Sequence, residues 1–180
     1  MKTLSILSLL GAARALPTLL SSGPLDGAVV SFLNYGTNSS LDLSGGGTDD
    51  GTAVIGYEFH NGDNQWWKLE KVNQTVAWPT WVIRNVQSNT NLDLYLGGSE
   101  NGTKITGWGG DETNNINLHQ LWYLVTADDT GSVFLIQNVG TGTYVNLNDG
   151  NAANGAAISG WAGSVEKKDP NQLWRLSRRS

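Results

Sequence analysis

The sequence predicts an all-β protein built from three repeats of about four short strands each. Its composition is the first observation: the 180 residues include 23 Gly and 8 Trp, and only 15% are charged. This composition is typical of short strands joined by tight turns and argues against a disordered chain. The second observation is that four sequence landmarks recur three times in the same order. That recurrence indicates pseudo-threefold symmetry.

The first landmark is a ten-residue segment that begins with Asn. Its three copies are NYGTNSSLDL from Asn34, NVQSNTNLDL from Asn85 and NVGTGTYVNL from Asn138. A second polar residue stands eight positions after the first Asn in every copy, namely Asp42, Asp93 and Asn146. Each lies between two apolar residues, and this alternation predicts a strand. We expect the aliphatic side chains to face the core and the polar residue to lie on the opposite face.

The remaining landmarks follow in each repeat. An Ile-containing strand ends in a Gly-aromatic pair, whose aromatic residues are Tyr57, Trp108 and Trp161. A Gln-x-Trp motif then closes the repeat, and its tryptophans are Trp67, Trp122 and Trp174, spaced 55 and 52 residues apart. Apolar and polar residues alternate after each closing tryptophan, so we expect these three side chains in the core. Clusters of Gly, Asn and Asp between the strands predict turns.

The repeats, at about 28–79, 80–131 and 132–180, predict a closed barrel with a hairpin cap. An open stack of three β units would leave strand edges unpaired and would need capping repeats, which the sequence does not show.

The N-terminus predicts a secretory signal peptide over residues 1–15. Lys2 precedes a short apolar run, and small residues follow near Ala15. The run is too short to span a membrane, so we expect no membrane span and a secreted, extracellular protein. Residues 16–27 would be a linker or arm. Three Asn-x-Ser/Thr sequons predict N-glycosylation at Asn38, Asn73 and Asn101.

Composition and motifs argue against several classes of function. A net charge of −5 without a basic stripe argues against nucleic-acid binding, and we expect the terminal Arg175, Arg178 and Arg179 to form a solvated tail. The absence of cysteine excludes disulfides and thiolate metal ligands. Two isolated histidines, no nucleotide-binding loop and no paired carboxylates predict no metal site, no cofactor and no enzymatic activity.

The triplicated Gln-x-Trp motif, with its upstream Asp-containing strands, resembles the ricin B-type β-trefoil lectins. The first repeat, from Leu41 to Trp67, is similar to the cysteine-free trefoil lectins of mushrooms. The likeness covers roughly Ala28 to Leu176, and it implies one β-trefoil lectin domain over residues 28–180. It also implies that the ligands are glycans or glycoproteins carrying galactose, N-acetylgalactosamine or disaccharides containing them. Two copies of such a chain could form a homodimer.

A sugar needs three kinds of partner. An ionised carboxylate accepts hydrogen bonds from neighbouring hydroxyls, an amide both donates and accepts, and a flat aromatic ring lies against the C–H face. In the family these are the strand Asp, an aromatic after the third strand and the Asn before Gln-x-Trp. The resemblance therefore assigns a full set to the first repeat: Asp42, the backbone at Gly45 and Gly46, Tyr57 or His60 as platform, Asn61 and Asn64. The alternative for Asp42 is a carboxylate that only stabilises its own turn.

The other two repeats depart from this pattern. The second keeps Asp93 and Trp108 but has His119 in place of the Asn, and a longer loop over residues 109–118. The third keeps Trp161 and Asn171 but has Asn146 in place of the Asp, and Asp149 could replace that carboxylate only if its loop folded back. We expect weaker sites there, with Trp108 and Trp161 as packing residues in the alternative.

Because the pockets would be shallow, we expect each to bind sugar with a millimolar to high-micromolar dissociation constant, a binding free energy of about −4 to −6 kcal/mol. Several pockets engaging clustered glycans together would bind more tightly. The rival function is a secreted protein-binding trefoil, such as a protease inhibitor that acts through its loops.

Overall fold

The computed structural model describes residues 25–72 and 78–179, and these residues form twelve β-strands. The predicted signal peptide at 1–15, residues 16–24 and Asn73 lie outside the described residues. The strands are β1 (Val29–Asn34), β2 (Ser40–Leu43), β3 (Thr52–Tyr57), β4 (Trp67–Lys71), β5 (Trp81–Asn85), β6 (Asn91–Leu94), β7 (Thr103–Trp108), β8 (Trp122–Thr126), β9 (Val133–Asn138), β10 (Tyr144–Leu147), β11 (Ala156–Trp161) and β12 (Trp174–Arg178).

Six of these strands close a barrel. Antiparallel pairs join β1 to β4, β4 to β5, β5 to β8, β8 to β9, β9 to β12 and β12 back to β1. The ring uses the first and last strand of each repeat and leaves no open edge between them.

The other six strands form three hairpins that cap the barrel. The hairpins are β2–β3, β6–β7 and β10–β11, and their second strands pair with one another around a triangle. This arrangement confirms the predicted all-β, pseudo-threefold β-trefoil.

The three closing tryptophans are fully buried, and each makes the same hydrogen bond. The indole N–H donates to the backbone carbonyl just before the strand Asp or Asn, at 2.9–3.0 Å; the acceptors are Leu41, Leu92 and Val145. Each tryptophan therefore has a hydrogen-bond partner for its one polar atom. The same bond fixes the position of the strand that carries a candidate site residue.

The three Asn residues that open the repeats join neighbouring repeats. Each is buried, and its carboxamide oxygen accepts from backbone N–H groups two and three residues later. The carboxamide nitrogen donates to the Gln-x-Trp turn of the preceding repeat; in Asn85 the acceptor is the Asn64 carbonyl, at 2.9 Å. Asn34 completes the circle by donating to Pro170, Asn171 and Leu173 of the third repeat. The turns that carry the candidate site residues are thus held from outside their own repeat.

A second set of contacts also runs around the threefold axis. Side-chain oxygens of Asp50, Asn101 and Asn154 accept from the backbone N–H groups of Gly109, Ala162 and Glu58, at 2.6–2.7 Å. Each acceptor fixes the residue that follows a candidate platform aromatic in another repeat. Asn101, one of the predicted glycosylation positions, is exposed while its side-chain oxygen is engaged in this way.

The chain ends differ from the sequence prediction in one respect. The terminal arginines do not form a solvated tail: Arg175 lies 5.2 Å from the centre of the Tyr35 ring and contacts Asn38. Arg179 pairs with Asp63 at 2.8 Å and lies over Trp66. That prediction was wrong because cation–π contacts on aromatic rings distant in sequence cannot be seen from local charge.

The described end of the predicted linker is packed on the barrel. Leu25 is buried in the core, and the Gly27 N–H donates to the Leu69 carbonyl at 2.8 Å. Within residues 25–72 and 78–179, no helix has both the length and the apolar character needed to cross a membrane.

Candidate ligand-binding site

A hollow of about 570 Å³ lies on the first repeat, within the usual size range of small-ligand pockets. It forms where the end of β2, the turn after it, the end of β3 and the short 3-10 turn Asp63–Gln65 meet. Its lining residues are Asp42, Ser44, Gly45, Ile55, Tyr57, Glu58, His60, Asn64 and Gln87. The structure thus brings together four side chains that the sequence analysis assigned to this site: Asp42, Tyr57, His60 and Asn64.

Asp42 is nearly covered, with only 2% of its surface exposed. The alternation in β2 places Asp42 on the face of the strand away from Leu41 and Leu43, but that face is also covered by protein. The Asn64 carboxamide nitrogen donates to Asp42 Oδ2 at 2.9 Å and to the Leu43 carbonyl at 3.1 Å. Burial raises the pKa of the Asp42 carboxyl above its ordinary value, against the opposing effects of Gln65, His60 and Asn64.

His60 approaches the same carboxylate from the rim of the hollow. Its Nε2 lies 3.4 Å from Asp42 Oδ2, and its Nδ1 accepts from the Gly62 N–H at 3.2 Å. Since Nδ1 is an acceptor, the neutral ring carries its proton on Nε2, toward Asp42. The ring meets Tyr57 edge to face, with centroids 5.8 Å apart. The two candidate platforms therefore form one aromatic wall.

Gln65, of the first Gln-x-Trp motif, holds the loop that carries His60. Its side-chain oxygen accepts from the His60 N–H and its nitrogen donates to the Glu58 carbonyl, both at 2.8 Å. Asn61 does not line the hollow: its Oδ1 accepts from the Trp66 indole at 3.0 Å. The adjacency of Asn61 to His60 in the sequence placed it in the site, but its backbone has a φ of 62°, and the side chain points to Trp66.

Four lining residues were not assigned from the sequence: Ser44, Ile55, Glu58 and Gln87. The first three adjoin assigned positions on β2 and β3. Gln87 belongs to the second repeat, two positions after Asn85. The repeats did contain a signal for it, since the matching positions after Asn34 and Asn138 are Gly36 and Gly140.

In the second repeat, Asp93 is as buried as Asp42, and burial again raises its pKa, opposed by Gln120 and His119. The His119 ring lies over Gly97: a Cβ added to that glycine would be 2.3 Å from Nε2. Trp108 packs against Tyr95, with ring centroids 6.1 Å apart. The structure therefore brings the three assigned side chains to the corresponding face.

The long loop of the second repeat is fastened to the Gln-x-Trp motif. The Asn115 carboxamide donates to Gln120 Oε1 at 2.8 Å and to the Asp111 carbonyl at 2.9 Å. Ile116 at its tip is 83% exposed. The loop thus presents an exposed apolar side chain while its base is held by Gln120.

The third repeat satisfies its polar residue internally. Asn146 donates to Asn148 Oδ1 at 3.3 Å, and Ser159 donates to the same oxygen at 2.5 Å. The side chain that folds back is thus Asn148, whereas Asp149 is exposed. Asn171 lies over Gly150, and Trp161 is 38% exposed. The amide of Asn146 is already partnered within its own turn.

Comparison with known proteins agrees with this geometry. The family model of the ricin-type beta-trefoil lectin domain-like proteins matches residues 18–108 and 118–180. No curated protein sequence matches the chain.

Several solved structures share the fold. The designed threefold-symmetric protein ThreeFoil is 23% identical, with a TM-score of 0.72 over 84% of this chain and 98% of that one. The Rhizoctonia solani agglutinin is 24% identical, with a TM-score of 0.70 over 86% and 97%. The Macrolepiota procera ricin B-like lectin, solved in complex with lactose, is 23% identical, with a TM-score of 0.65 over 90% and 100%. Because the family model covers most of the chain and the described residues form its fold, this chain belongs to the ricin-type β-trefoil lectin-like family.

Proposed function

We propose that this chain is a carbohydrate-binding lectin whose principal site is the hollow of the first repeat. The observation that carries the proposal is Asp42, a carboxylate at the base of the hollow beside the Tyr57 and His60 rings. An ionised acceptor beside an aromatic face is what a sugar edge and its C–H patch require.

The carboxylate is oriented for this role. Asn64 and His60 approach Oδ2, and Gln65 also hydrogen-bonds to the carboxylate, which has about four acceptor positions on its two oxygens. Asp42 can therefore accept from a sugar hydroxyl while its internal partners hold it in place. The proposed role is binding without catalysis.

We propose galactose or N-acetylgalactosamine as the sugar at this site. Two fold relatives support the choice: the Macrolepiota procera lectin was solved with lactose, and the C-half of an earthworm R-type lectin was solved with N-acetylgalactosamine. The sites of the second and third repeats are proposed to be weaker and to act through multivalent binding to clustered glycans.

We also propose that the protein is secreted after removal of residues 1–15 and that the domain spans residues 28–180. Glycosylation at Asn38, Asn73 and Asn101 belongs to the same proposal. Mass spectrometry of the protein released by a eukaryotic secretory host would test the cleavage and the glycosylation. An intact N-terminus with unmodified Asn would contradict both.

Asp42→Asn tests the principal site, because it removes the charge and keeps the shape. Isothermal titration with lactose and N-acetylgalactosamine should give a dissociation constant in the millimolar to high-micromolar range for the parent and at least tenfold weaker binding for the variant. The matched control is Asp93→Asn, the same change in the second repeat, which should leave most of the binding intact. Thermal melting checks that both variants fold.

Two outcomes would contradict the proposal. One is a parent that binds no sugar in titration or on a glycan array. The other is equal loss in the two variants, which would remove the first repeat's special role. A lactose-bearing polymer should bind more tightly, per lactose, than free lactose if the weaker sites contribute.

A further inference from the structure

We propose that Gln87, from the second repeat, supplies the amide that contacts the sugar in the first hollow. The site is then assembled from two repeats, and Gln87 is a specificity-determining residue. This inference rests on the proposed function and deepens it.

The first step is that Asn64 has no N–H left to donate to a ligand. Its two carboxamide N–H groups are used by Asp42 Oδ2 and the Leu43 carbonyl. A carboxamide has only two N–H donors. Asn64 therefore positions Asp42 and keeps only its Oδ1 as an acceptor, so an amide N–H for the sugar edge must come from another residue.

The second step is the position of Gln87. A Cβ built on Gly46 would lie 2.1 Å from Gln87 Nε2 and 2.6 Å from Oε1, so the carboxamide of Gln87 lies directly on that glycine. The matching glycines of the other turns are covered from within their own repeats, Gly97 by His119 and Gly150 by Asn171. In the first repeat, Asn64 has turned toward Asp42, and Gln87 occupies the place that His119 and Asn171 take elsewhere.

The third step is that the Gln87 amide is available. Its side chain is exposed, lines the hollow and has no hydrogen-bond partner within residues 25–72 and 78–179. Its backbone is held, because the Gln87 N–H donates to Asn85 Oδ1 at 3.1 Å. An anchored residue with an unused amide can both donate to and accept from a ligand hydroxyl.

The fourth step is that the other two sites have no counterpart. The residues that match Gln87 are Gly36 and Gly140, which carry no side chain. Gln87 therefore gives the first site a polar wall that distinguishes it from the others. A ligand that fits it has a hydroxyl or acetamido group directed toward the second repeat, beyond the hydroxyls that Asp42 holds.

Gln87→Ala tests the proposal because it removes the amide and leaves the backbone of the turn. Titration with lactose and N-acetylgalactosamine should show about three- to tenfold weaker binding of at least one of them, the effect of one hydrogen bond, with an unchanged melting temperature. Gln87→Gly, which restores the residue of the other repeats, should give the same loss.

The matched control is Gly36→Gln, which places the same side chain beside the third repeat. A Cβ there meets only ordinary contacts, the nearest at 3.5 Å, so this variant should fold and bind lactose as the parent does. If the parent binds and Asp42→Asn does not, but Gln87→Ala binds both sugars within twofold of the parent, the role of Gln87 is overturned and the lectin function stands. If the parent binds no sugar, the proposed function itself has failed.

Discussion

The first and third repeats share a scaffold but differ in what their polar strand residue does. Both have the buried closing tryptophan bonded to a carbonyl of the strand, at 3.0 Å. In the first repeat Asp42 lies at the base of a hollow; in the third, Asn146 bonds to Asn148 of its own turn. The comparison indicates how two local changes can weaken a proposed site while the core and the barrel stay intact.

The second repeat lies between these extremes. It keeps a buried Asp93, but Leu96 stands where the first repeat has Gly45, with a φ of 51° against 59°. A left-handed backbone costs a residue with a Cβ about 1 kcal/mol or more, so this position is strained. Leu96 is also 69% exposed, which makes the rim of the second site apolar. The three repeats have therefore diverged at the same few turn positions.

The largest expected effect comes from the Asn residues that join the repeats. Asn85→Ala should lower the free energy of unfolding by about 3 kcal/mol, because it removes a fully buried carboxamide and leaves the Asn64 carbonyl and two N–H groups unpartnered. It should also weaken lactose binding, since Asn85 holds both the turn of Asn64 and the backbone of Gln87.

Asn138→Ala is the matched change at the next junction. Denaturant unfolding should show a similar loss of stability, while titration should show first-site binding unchanged. Equal loss of lactose binding in both variants would contradict the prediction, because the first site would then not depend specifically on the junction made by Asn85.

The second prediction concerns pH. Because burial raises the pKa of the Asp42 carboxyl above 3.8, sugar binding should fall more than tenfold as pH drops through a midpoint above that value. Stability has the opposite sign: a raised folded-state pKa favours the fold below 3.8, and this contribution is lost as pH rises through the raised value. Asp42→Asn should therefore gain stability relative to the parent between pH 3 and pH 7.

Titration calorimetry and denaturant unfolding across that pH range measure both curves. His60 and Glu58 also line the hollow, and the difference between parent and Asp42→Asn reports the carboxyl of Asp42 together with its contact to His60. A variant whose relative stability does not change with pH would show that Asp42 is not desolvated in solution.

The third prediction separates two adjacent glycines. Gly45 and Gly46 both have a positive φ, of 59° and 62°, so Ala at either should cost about 1 kcal/mol of unfolding free energy. A Cβ on Gly45 meets nothing within 4 Å, whereas one on Gly46 displaces the Gln87 amide. Gly46→Ala should also weaken sugar binding, by the same factor as Gln87→Ala. Because Gly45 itself lines the hollow, the reference for this loss is the parent. Binding by Gly46→Ala within twofold of the parent would contradict the assigned position of Gln87.

The smallest expected effect is a gain in the third repeat. Asn146→Asp combined with Asn148→Ser copies Asp42 and Ser44, and removes the side chain that now folds over position 146. The proposed weak site of the third repeat should bind more strongly, seen as tighter binding to a polymer that carries lactose than the parent shows. No change in polymer binding would mean that the third repeat lacks more than these two side chains.

Much of the fold could be predicted because its causes are local and repeated. The alternation around Asp42, Asp93 and Asn146 and the spacing of the closing tryptophans indicated strands and a threefold core, and the family resemblance was confirmed. The candidate site could be predicted only in part. Asp42, His60 and Asn64 were assigned from the family motif and line the hollow, whereas Asn61 does not, because its Oδ1 accepts from the Trp66 indole.

The sequence by itself determined the number of repeats, the residues of the core and the strands on which the candidate sites lie, because hydrophobic periodicity acts over a few neighbouring residues and was repeated three times. Only the tertiary structure decided which polar groups are still available for a ligand. The N–H groups of Asn64 are used by Asp42 and Leu43, Asn148 accepts within the third turn, and Gln87 reaches the first hollow from another repeat. These choices depend on distances between residues far apart in sequence, where the most favourable partner wins, and no local pattern records them.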